Sequence, residues 1–224
     1  MSAKGAPWWG YHQLDTRWAE RLVKAAGVRP GDLVLDIGAG RGVITEELLA
    51  VGARVIAIEY HPDRYRQLHQ RFGSEVVVVR ADAADLRLPR RAFKVVANPP
   101  FGISVALLRR LLSAGSRMTT ADLIVPDQVA ARWARGRAPG SGRWTRTHHA
   151  SLGPRLPAQA FRPAAPMPTR ILRLRPHGVG GADPTAPPYR RSVPVLGASA
   201  MVPVRATLSG RHTSNRGPLA TGPT

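Results

Sequence analysis

The chain has 224 residues, enough for one domain with an extension, and its 33 Lys and Arg against 14 Asp and Glu give a formal net charge of +19. So basic a balance argues against an enzyme of small anionic metabolites and indicates a polyanionic partner. Because the sequence contains no cysteine, a disulfide scaffold, a Cys-ligated zinc site, an iron–sulfur cluster and thiol catalysis are excluded.

The sequence lacks the signals of a membrane or secreted protein. No apolar run approaches the roughly 18–20 residues that span a bilayer, and the first ten residues lack the apolar region of a signal peptide. We therefore expect a cytoplasmic protein that has no membrane segment, and we expect it to be a monomer.

Residues 14–126 alternate short apolar runs with amphipathic stretches. The apolar runs are rich in β-branched residues and bounded by turn residues, which predicts buried strands at 33–37, 54–58, 76–79, 94–97 and 123–125. Helical patterns lie around and between them, at 16–26, 43–51, 62–72 and 104–113. This alternation predicts a doubly wound, mostly parallel sheet, and the continuous apolar character of the strands predicts burial on both faces.

The rest of the chain differs in composition. Residues 128–175 hold ten Arg and no acidic residue, and residues 136–147 mix Arg with Gly, Pro and Ser, which predicts a mobile basic loop without regular structure. Residues 177–224 contain seven Gly and seven Pro and few large apolar side chains. We predict a folded domain over 1–175 and a disordered Pro/Gly/Arg-rich tail over 176–224, because such a tail buries too little surface to offset its ordering entropy.

A GxGxG turn, formed by Gly38, Gly40 and Gly42, follows the first of these predicted strands and precedes a helix. Glycines let the backbone turn tightly and approach a ligand closely, and the start of the helix offers free N–H groups. The pattern predicts a nucleotide-binding loop. The alternative is a tight strand-to-helix turn that holds no ligand.

Acidic residues follow the next two predicted strands. Glu59 lies 17 residues after Gly42, where a carboxylate can accept hydrogen bonds from both hydroxyls of a ribose. The alternative role for Glu59 is the N-cap of the following helix. Asp82 lies where it can accept from the exocyclic amine of an adenine, and its alternative role is an ordinary turn or cap.

The fourth strand ends in Asn98, Pro99, Pro100 and Phe101, followed by a glycine. Two prolines fix φ and remove two N–H donors, so the neighbouring carbonyls point outward from a stiff loop. The loop supplies an acceptor side chain, an acceptor carbonyl and a stacking ring, which are the groups needed to hold a planar base with an exocyclic amine. A plain proline turn does not explain the flanking amide and aromatic ring.

Taken together, these motifs resemble the class I S-adenosylmethionine-dependent methyltransferases that act on adenine N6. Their order is similar to that of the ribosomal RNA adenine methylases, which include KsgA-type enzymes and the erythromycin-resistance (Erm) methylases. His12 and Leu14 fit the N-terminal motif of the family, whereas Tyr11 and Gln13 depart from it. Residues 160–163 and 170–175 resemble its closing strands, and the Trp-rich opening and heavy Arg content resemble actinobacterial Erm proteins. The resemblance covers residues 8–175.

The resemblance implies a Rossmann-like methyltransferase domain over 1–175 whose helical C-terminal lobe is reduced or absent. It implies that S-adenosylmethionine is the cofactor and that no metal is used. The residues expected to bind the cofactor are His12, Leu14, Gly38, Ala39, Gly40, Glu59, Asp82, Ala83 and Asn98. In this reading Asn98, Pro99 and Phe101 are catalytic, because Phe101 stacks on the target adenine while the Asn98 side chain and the Pro99 carbonyl accept hydrogen bonds from its N6 amine.

The basic stretch is expected to bind RNA phosphates, with interleaved Trp side chains available for stacking. The expected contacts are Arg132, Arg135, Arg137, Arg143, Trp144 and Arg146. The alternative is a solvated surface that reflects a preference for Arg codons.

The leading functional hypothesis is N6-methylation of an adenine in 23S ribosomal RNA, which the resemblance links to macrolide, lincosamide and streptogramin B resistance. A KsgA-type methylase of small-subunit ribosomal RNA is the second hypothesis. The third is an RNA-binding protein that keeps the fold and has lost turnover.

Overall fold

A computed structural model describes residues 12–177, which form a seven-stranded sheet with helices on both faces and a separate two-stranded ribbon. The helices are α1 (Thr16–Ala25), α2 (Val43–Ala50), α3 (Pro62–Phe72), α4 (Ser104–Leu111), α5 (Asp127–Ala134) and α6 (Ser141–Trp144). The strands are β1 (Gln13–Leu14), β2 (Leu33–Ile37), β3 (Arg54–Ile58), β4 (Val77–Val79), β5 (Phe93–Ala97), β6 (Met118–Pro126), β7 (His148–Leu156), β8 (Phe161–Arg162) and β9 (Thr169–Pro176).

The strands of the sheet lie in the order β4-β3-β2-β5-β6-β9-β7. Strands β2 to β6 are parallel, and β9 and β7 add antiparallel neighbours at one edge. The chain moves outward from β2 through β3 to β4 and then returns to β5 on the other side of β2, so the order reverses between β2 and β5. In open α/β sheets, ligands bind outside the carboxyl ends of the strands at such a reversal. The loops that follow β2 and β5 are therefore the expected ligand-binding loops.

Burial on both faces of the sheet explains the apolar sequence of its central strands. All five residues of β2 are buried. Side chains alternate between the faces of a strand, and Val34 accordingly packs in the core formed with α1, α2 and α3, whereas Leu35 and Ile37 pack in the core formed with α4, α5 and α6. The predicted doubly wound, mostly parallel sheet is confirmed.

Predicted and observed elements agree closely between residues 16 and 126. The bounds of β2, β3 and α3 are those predicted, and α1, α2, β4 and β5 differ by one residue at one end. Strand β6 is longer than predicted because β9 pairs with it from Ala121 to Pro126, so its hydrogen bonding extends beyond its apolar run.

Elements after residue 126 correct the sequence prediction. Helices α5 and α6 and strand β7 were not predicted, and the interpretation of residues 136–147 as a loop without regular structure is wrong for α6. Trp144, at the end of α6, is only 4% exposed and packs against Trp133 of α5 with ring centroids 5.2 Å apart. The burial of this one large side chain ties the Gly- and Arg-rich segment to the core.

A short antiparallel ribbon pairs the start of the described residues with a segment that precedes β9. Its strands, β1 and β8, pair Gln13 with Arg162 and Leu14 with Phe161. Pro176, which the sequence assigned to the tail, is the last residue of β9, and residues 178–224 lie outside the described residues, so their predicted disorder stays a prediction. Of the helices within residues 12–177, none has the length and apolar character needed to cross a membrane.

Candidate active site

The glycine turn after β2 lies directly against the loop after β5. Gly38 has φ +76° and donates its N–H to the carbonyl of Ile58 over 2.8 Å. A Cβ atom at Gly38 would lie 3.0 Å from Cδ of Pro100 and 3.2 Å from Cα of Pro99. The diproline loop therefore occupies the space that any other side chain at residue 38 would need, and the reversal between β2 and β5 brings the two sharpest motifs of the sequence into contact.

Glu59 links the tip of β3 to the glycine turn. Its side chain is 4% exposed and accepts from the N–H of Gly40 over 2.9 Å, from the N–H of His61 over 2.8 Å and from the guanidinium of Arg64 over 3.1 Å. The alternative role of Glu59 as a helix cap is taken by His61, whose Nδ1 accepts from the N–H of Asp63 over 3.2 Å. The ribose-binding role of Glu59 stays a prediction.

Asp36 is a site residue that the sequence analysis did not single out. It is fully buried in β2, where Thr45 donates a hydrogen bond to its Oδ2 over 2.6 Å, and within residues 12–177 its Oδ1 has no hydrogen-bond partner. Burial raises the pKa of Asp36 to about 7, and the nearby Glu59 charge adds to the increase. A carboxyl group within a fully apolar strand was the available sequence signal, because burying such a group is costly without a partner.

Asn98 presents a carbonyl oxygen that is ready to accept a hydrogen bond. Its Nδ2 donates to the backbone carbonyl of His12 over 2.8 Å, which decides the orientation of the amide because a carbonyl cannot accept from Oδ1. In the described part of the chain, the buried Oδ1 has no partner. Leaving a buried acceptor without a partner is costly, so the binding of a ligand that supplies a donor is favourable here.

Three segments distant in sequence meet around Phe101. The His12 ring stacks on it with centroids 5.6 Å apart and planes inclined by 12°, and Phe161 meets it edge-on at 6.2 Å. His12 is held in turn by a 3.0 Å hydrogen bond between its Nδ1 and the carbonyl of Pro163. The β1–β8 ribbon therefore brings the N-terminal motif and the 161–163 segment over the diproline loop. The sequence analysis matched Phe161 to a family motif but assigned it no role in the site.

Two neighbouring cavities open along these loops. The inner cavity, of about 50 Å³, lies between the glycine turn, the diproline loop and the N-terminal segment, and the second, of about 240 Å³, extends toward the tip of β4. They share Gly38, Glu59, Arg64 and Pro100 as lining residues. Asp82 and Ala83 line the second cavity, and every other residue predicted to bind the cofactor or the target base lines the inner one.

The residues predicted to bind RNA do not form one site. Arg132, Arg135 and Arg137 line a shallow cavity beside α5, whereas Arg143 lines a separate groove next to Trp144; all four are exposed, as is Arg146. The burial of Trp144 contradicts the prediction that its ring stacks on RNA, because its face is packed on another indole.

Several arginines of the basic stretch instead bind carboxylates. Asp127 is paired with Arg155 over 3.0 Å and with Arg170 over 2.6 Å, and the Arg170 hydrogen bond holds the pKa of Asp127 below its usual value. Buried Asp122 is paired in the same way with Arg173 and Arg175. The pairs with Asp122 link β9 to β6, and the pairs with Asp127 link β7 and β9 to the start of α5. Among the described residues, no three His, Asp or Glu side chains cluster as they would around a metal ion.

The strand order, the reversal at β2 and β5, and the loops at their carboxyl ends define a Rossmann-like class I methyltransferase fold. Residues 12–148 match the family model described as ribosomal RNA adenine dimethylase, and the chain belongs to this family.

The relatives of this chain include the following two rRNA methyltransferases. The ribosomal RNA small subunit methyltransferase A of Pseudomonas putida is 30% identical over 183 residues, covering 74% of this chain and 66% of that protein. An rRNA methyltransferase of Streptomyces thermotolerans is 32% identical over 216 residues, covering 92% of this chain and 66% of that protein. The chain thus spans just under two thirds of the length of either relative.

Solved structures share the fold. The 23S rRNA methyltransferase ErmE superposes with a TM-score of 0.64 at 24% identity, covering 73% of this chain and 69% of that one. A dimethyladenosine transferase from Plasmodium falciparum has the same TM-score at 23% identity, covering 74% of this chain and 63% of that one.

Proposed function

We propose that the chain is an S-adenosylmethionine-dependent methyltransferase that modifies N6 of an adenine in 23S ribosomal RNA. The contact between the two loops carries the proposal: the diproline loop packs on Gly38, and the partnerless oxygen of Asn98 belongs to the same cavity. An acceptor for an exocyclic amine therefore lies beside a turn suited to a nucleotide cofactor. A site on ribosomal RNA would place the enzyme in the cytoplasm.

The residues present fit S-adenosylmethionine. The buried, partnerless Oδ1 of Asp36 suits an ammonium group, and the backbone of the glycine turn, at Gly38 and Gly40, lines the same cavity. Glu59 would hold the ribose, and Asp82 with Ala83 would bind the adenine in the second cavity. When bound, the cofactor would supply an electrophilic methyl group on a sulfonium.

The chain itself would act by positioning. An adenine extruded from its stack would lie on Phe101, a contact worth about 1–3 kcal/mol. The Asn98 oxygen and the Pro99 carbonyl would accept from the N6 amine, drawing its lone pair out of ring conjugation. Because the Asn98 amide is anchored to the His12 carbonyl, its oxygen keeps one orientation. No strong base is required when the leaving group is neutral, and alignment of this kind can contribute about 7–11 kcal/mol.

The choice of large-subunit RNA is supported by composition. The Arg content and the Trp-rich opening resemble those of actinobacterial Erm proteins. Methylation of a tunnel adenine would confer macrolide, lincosamide and streptogramin B resistance.

Transfer of a labelled methyl group to naked 23S and 16S transcripts tests the proposal. The wild-type chain is expected to label 23S RNA, and Asn98→Ala is expected to lower the rate at least a hundredfold while S-adenosylhomocysteine still binds. Arg91→Gln, at an exposed arginine before β5, serves as the control and should keep the wild-type rate. Equal labelling by wild type and Asn98→Ala would reject the proposed role of the loop. Primer extension would then locate the modified adenine.

A small-subunit substrate is the second candidate, because several relatives with 30–35% identity are named ribosomal RNA small subunit methyltransferase A. Preferential labelling of 16S RNA in the same assay would favour it. Cofactor binding without transfer to either RNA would instead favour an RNA-binding protein that has lost turnover.

A further inference from the structure

We propose that Arg41 and Arg162 form a phosphate-binding clamp that grips the RNA backbone next to the extruded adenine. The inference rests on the proposed function and deepens it, since it assigns a place on the protein to one part of the substrate. The ligand is a phosphodiester of single-stranded RNA.

Arg41 lies between the inner cavity and a third cavity, which we call the outer cavity. Arg41 lines the inner cavity, together with Asn98 and Phe101, and also lines the outer cavity, of about 480 Å³. Arg162 lines the outer cavity only. A nucleotide whose base lies on Phe101 remains joined to the strand through its two phosphates, and the outer cavity shares Gln13, Leu14 and Arg41 with the inner one.

The surrounding structure holds each arginine in place at its backbone. Arg162 is part of β8, directly after Phe161, and pairs with Gln13 of β1. Arg41 lies in the glycine turn, and its carbonyl accepts a 2.8 Å hydrogen bond from Arg71. Gly42 fixes the turn further, because it has φ +84° and a Cβ there would lie 2.4 Å from Phe72. Both backbones are anchored, and both side chains are exposed, so that a ligand in the outer cavity can reach them.

The two arginines also differ electrostatically from their neighbours. Arg64 is paired with Glu59 and Arg71 with Glu46. Within residues 12–177, no ion pair engages Arg41 or Arg162. The one carboxylate of the outer cavity, Asp15, already caps α1 by accepting from the N–H of Arg17. Two unpaired guanidinium groups at one opening suit a phosphate, which accepts from arginine through two parallel hydrogen bonds.

Salt-dependent binding tests the clamp without requiring turnover. Affinity of a naked 23S transcript is measured by filter binding across a KCl series for wild type, Arg41→Gln, Arg162→Gln and the double variant. Loss of one phosphate contact should reduce the magnitude of the log–log salt slope by about 0.7–0.9. We expect a reduction of this size in each single variant and at least this much in the double variant. Arg91→Gln removes the same charge far from the cavities and should change the slope by much less.

Three further measurements distinguish loss of the clamp from a general loss of activity or of cofactor binding. Single-turnover methyl transfer should fall at least tenfold in the double variant, and S-adenosylhomocysteine should bind Arg162→Gln within twofold of wild type, because Arg162 lines only the outer cavity. Ethylation of the phosphates flanking the modified adenine should inhibit transfer by wild type and add little inhibition for the double variant.

The outcomes distinguish the two proposals. If wild type labels RNA but the double variant behaves like Arg91→Gln, the clamp is refuted and the proposed function stands. If wild type labels no RNA, the proposed function fails, and the salt slopes still decide whether these arginines contact phosphates. Equal ethylation interference in wild type and double variant would also overturn the clamp.

Discussion

Two regions of the molecule differ in whether their polar and charged groups already have partners within the protein. The carboxyl-edge crevice, formed by the loops after β2, β3 and β5, keeps buried polar atoms without partners, at Asp36 and Asn98. In the basic stretch, residues 128–175, four arginines are already bound to Asp122 and Asp127, and Trp144 is buried. Buried polar atoms without hydrogen-bond partners also occur in the basic stretch, at Trp144 Nε1 and Thr169 Oγ1. Asp36 and Asn98 differ because both line the inner cavity together with the glycine turn and the diproline loop. The comparison teaches that an unsatisfied buried group indicates a ligand site when it lines a cavity with other candidate site residues.

The largest expected effect concerns the structural role of the basic stretch. Trp144→Ala should lower the free energy of unfolding by about 3–5 kcal/mol, because the substitution leaves a cavity beside Trp133. Urea denaturation measures the change. S-adenosylhomocysteine affinity per folded molecule should stay within twofold of wild type. If Trp144→Ala is as stable as wild type, the Trp144 ring contributes little to the core and is free to contact RNA, and the contrast between the two regions fails.

The crevice should respond to a single methyl group. Gly38→Ala places a Cβ against Pro99 and Pro100, so the rate of methyl transfer should fall about a hundredfold, which corresponds to about 2.7 kcal/mol. Gly115→Ala is the matched control, since Gly115 has φ +82° and no atom lies within 4 Å of its Cβ position. It carries the same backbone strain without the collision. Equal loss in both variants would show that strain alone accounts for the effect.

The pH dependence of stability should report on Asp36. Its pKa is raised by burial, so between pH 5 and pH 7 the unfolded chain binds fewer protons than the native one and native stability falls as the pH rises. Asp36→Asn should remove a loss of about 2 kcal/mol over this interval. Urea titrations at several pH values measure it, with exposed Asp63→Asn as the control. A constant difference between Asp36→Asn and wild type at all pH values would contradict the raised pKa.

The exposed arginines beside α5 should have the smallest effect. Arg137→Gln is expected to weaken binding of a 23S transcript by about two- to fivefold at physiological salt, since a single screened phosphate contact contributes little. Filter binding measures it. A loss of tenfold or more would show that the cavity beside α5 is a principal RNA contact. The basic stretch would then be a functional region in the same sense as the crevice.

Differences in burial between the two regions also explain which strands and helices the sequence could predict. Strands β2 and β3 were predicted to the residue because most of their residues are buried and, apart from Asp36 and the exposed Arg54, are apolar. The site motifs followed, since a parallel sheet brings the carboxyl ends of its strands to one edge. Strand β7 was missed because it lies at the sheet edge with its side chains largely exposed, and α6 because burial of a single tryptophan decides its position.

Features that depend on contacts between distant segments lay beyond the sequence argument. The stacking of His12 on Phe101 and the hydrogen bond from Asn98 to the His12 carbonyl join residues more than 85 positions apart. Local patterns carry no information on such pairs. The interaction of Glu59 with Arg64 is local, yet it depends on a side-chain conformation that spacing does not specify.

The β1–β8 ribbon has a consequence for the order in which the enzyme is made. Gln13 leaves the ribosome early in synthesis, whereas Arg162, its partner in the ribbon, emerges only after most of the domain has been translated. The glycine turn and the diproline loop can come together in a nascent chain, but the wall that Phe161 and Pro163 add over Phe101 arrives last. A nascent chain that has not yet reached Phe161 therefore lacks this wall, and on the proposed function we expect it to be unable to hold a target base.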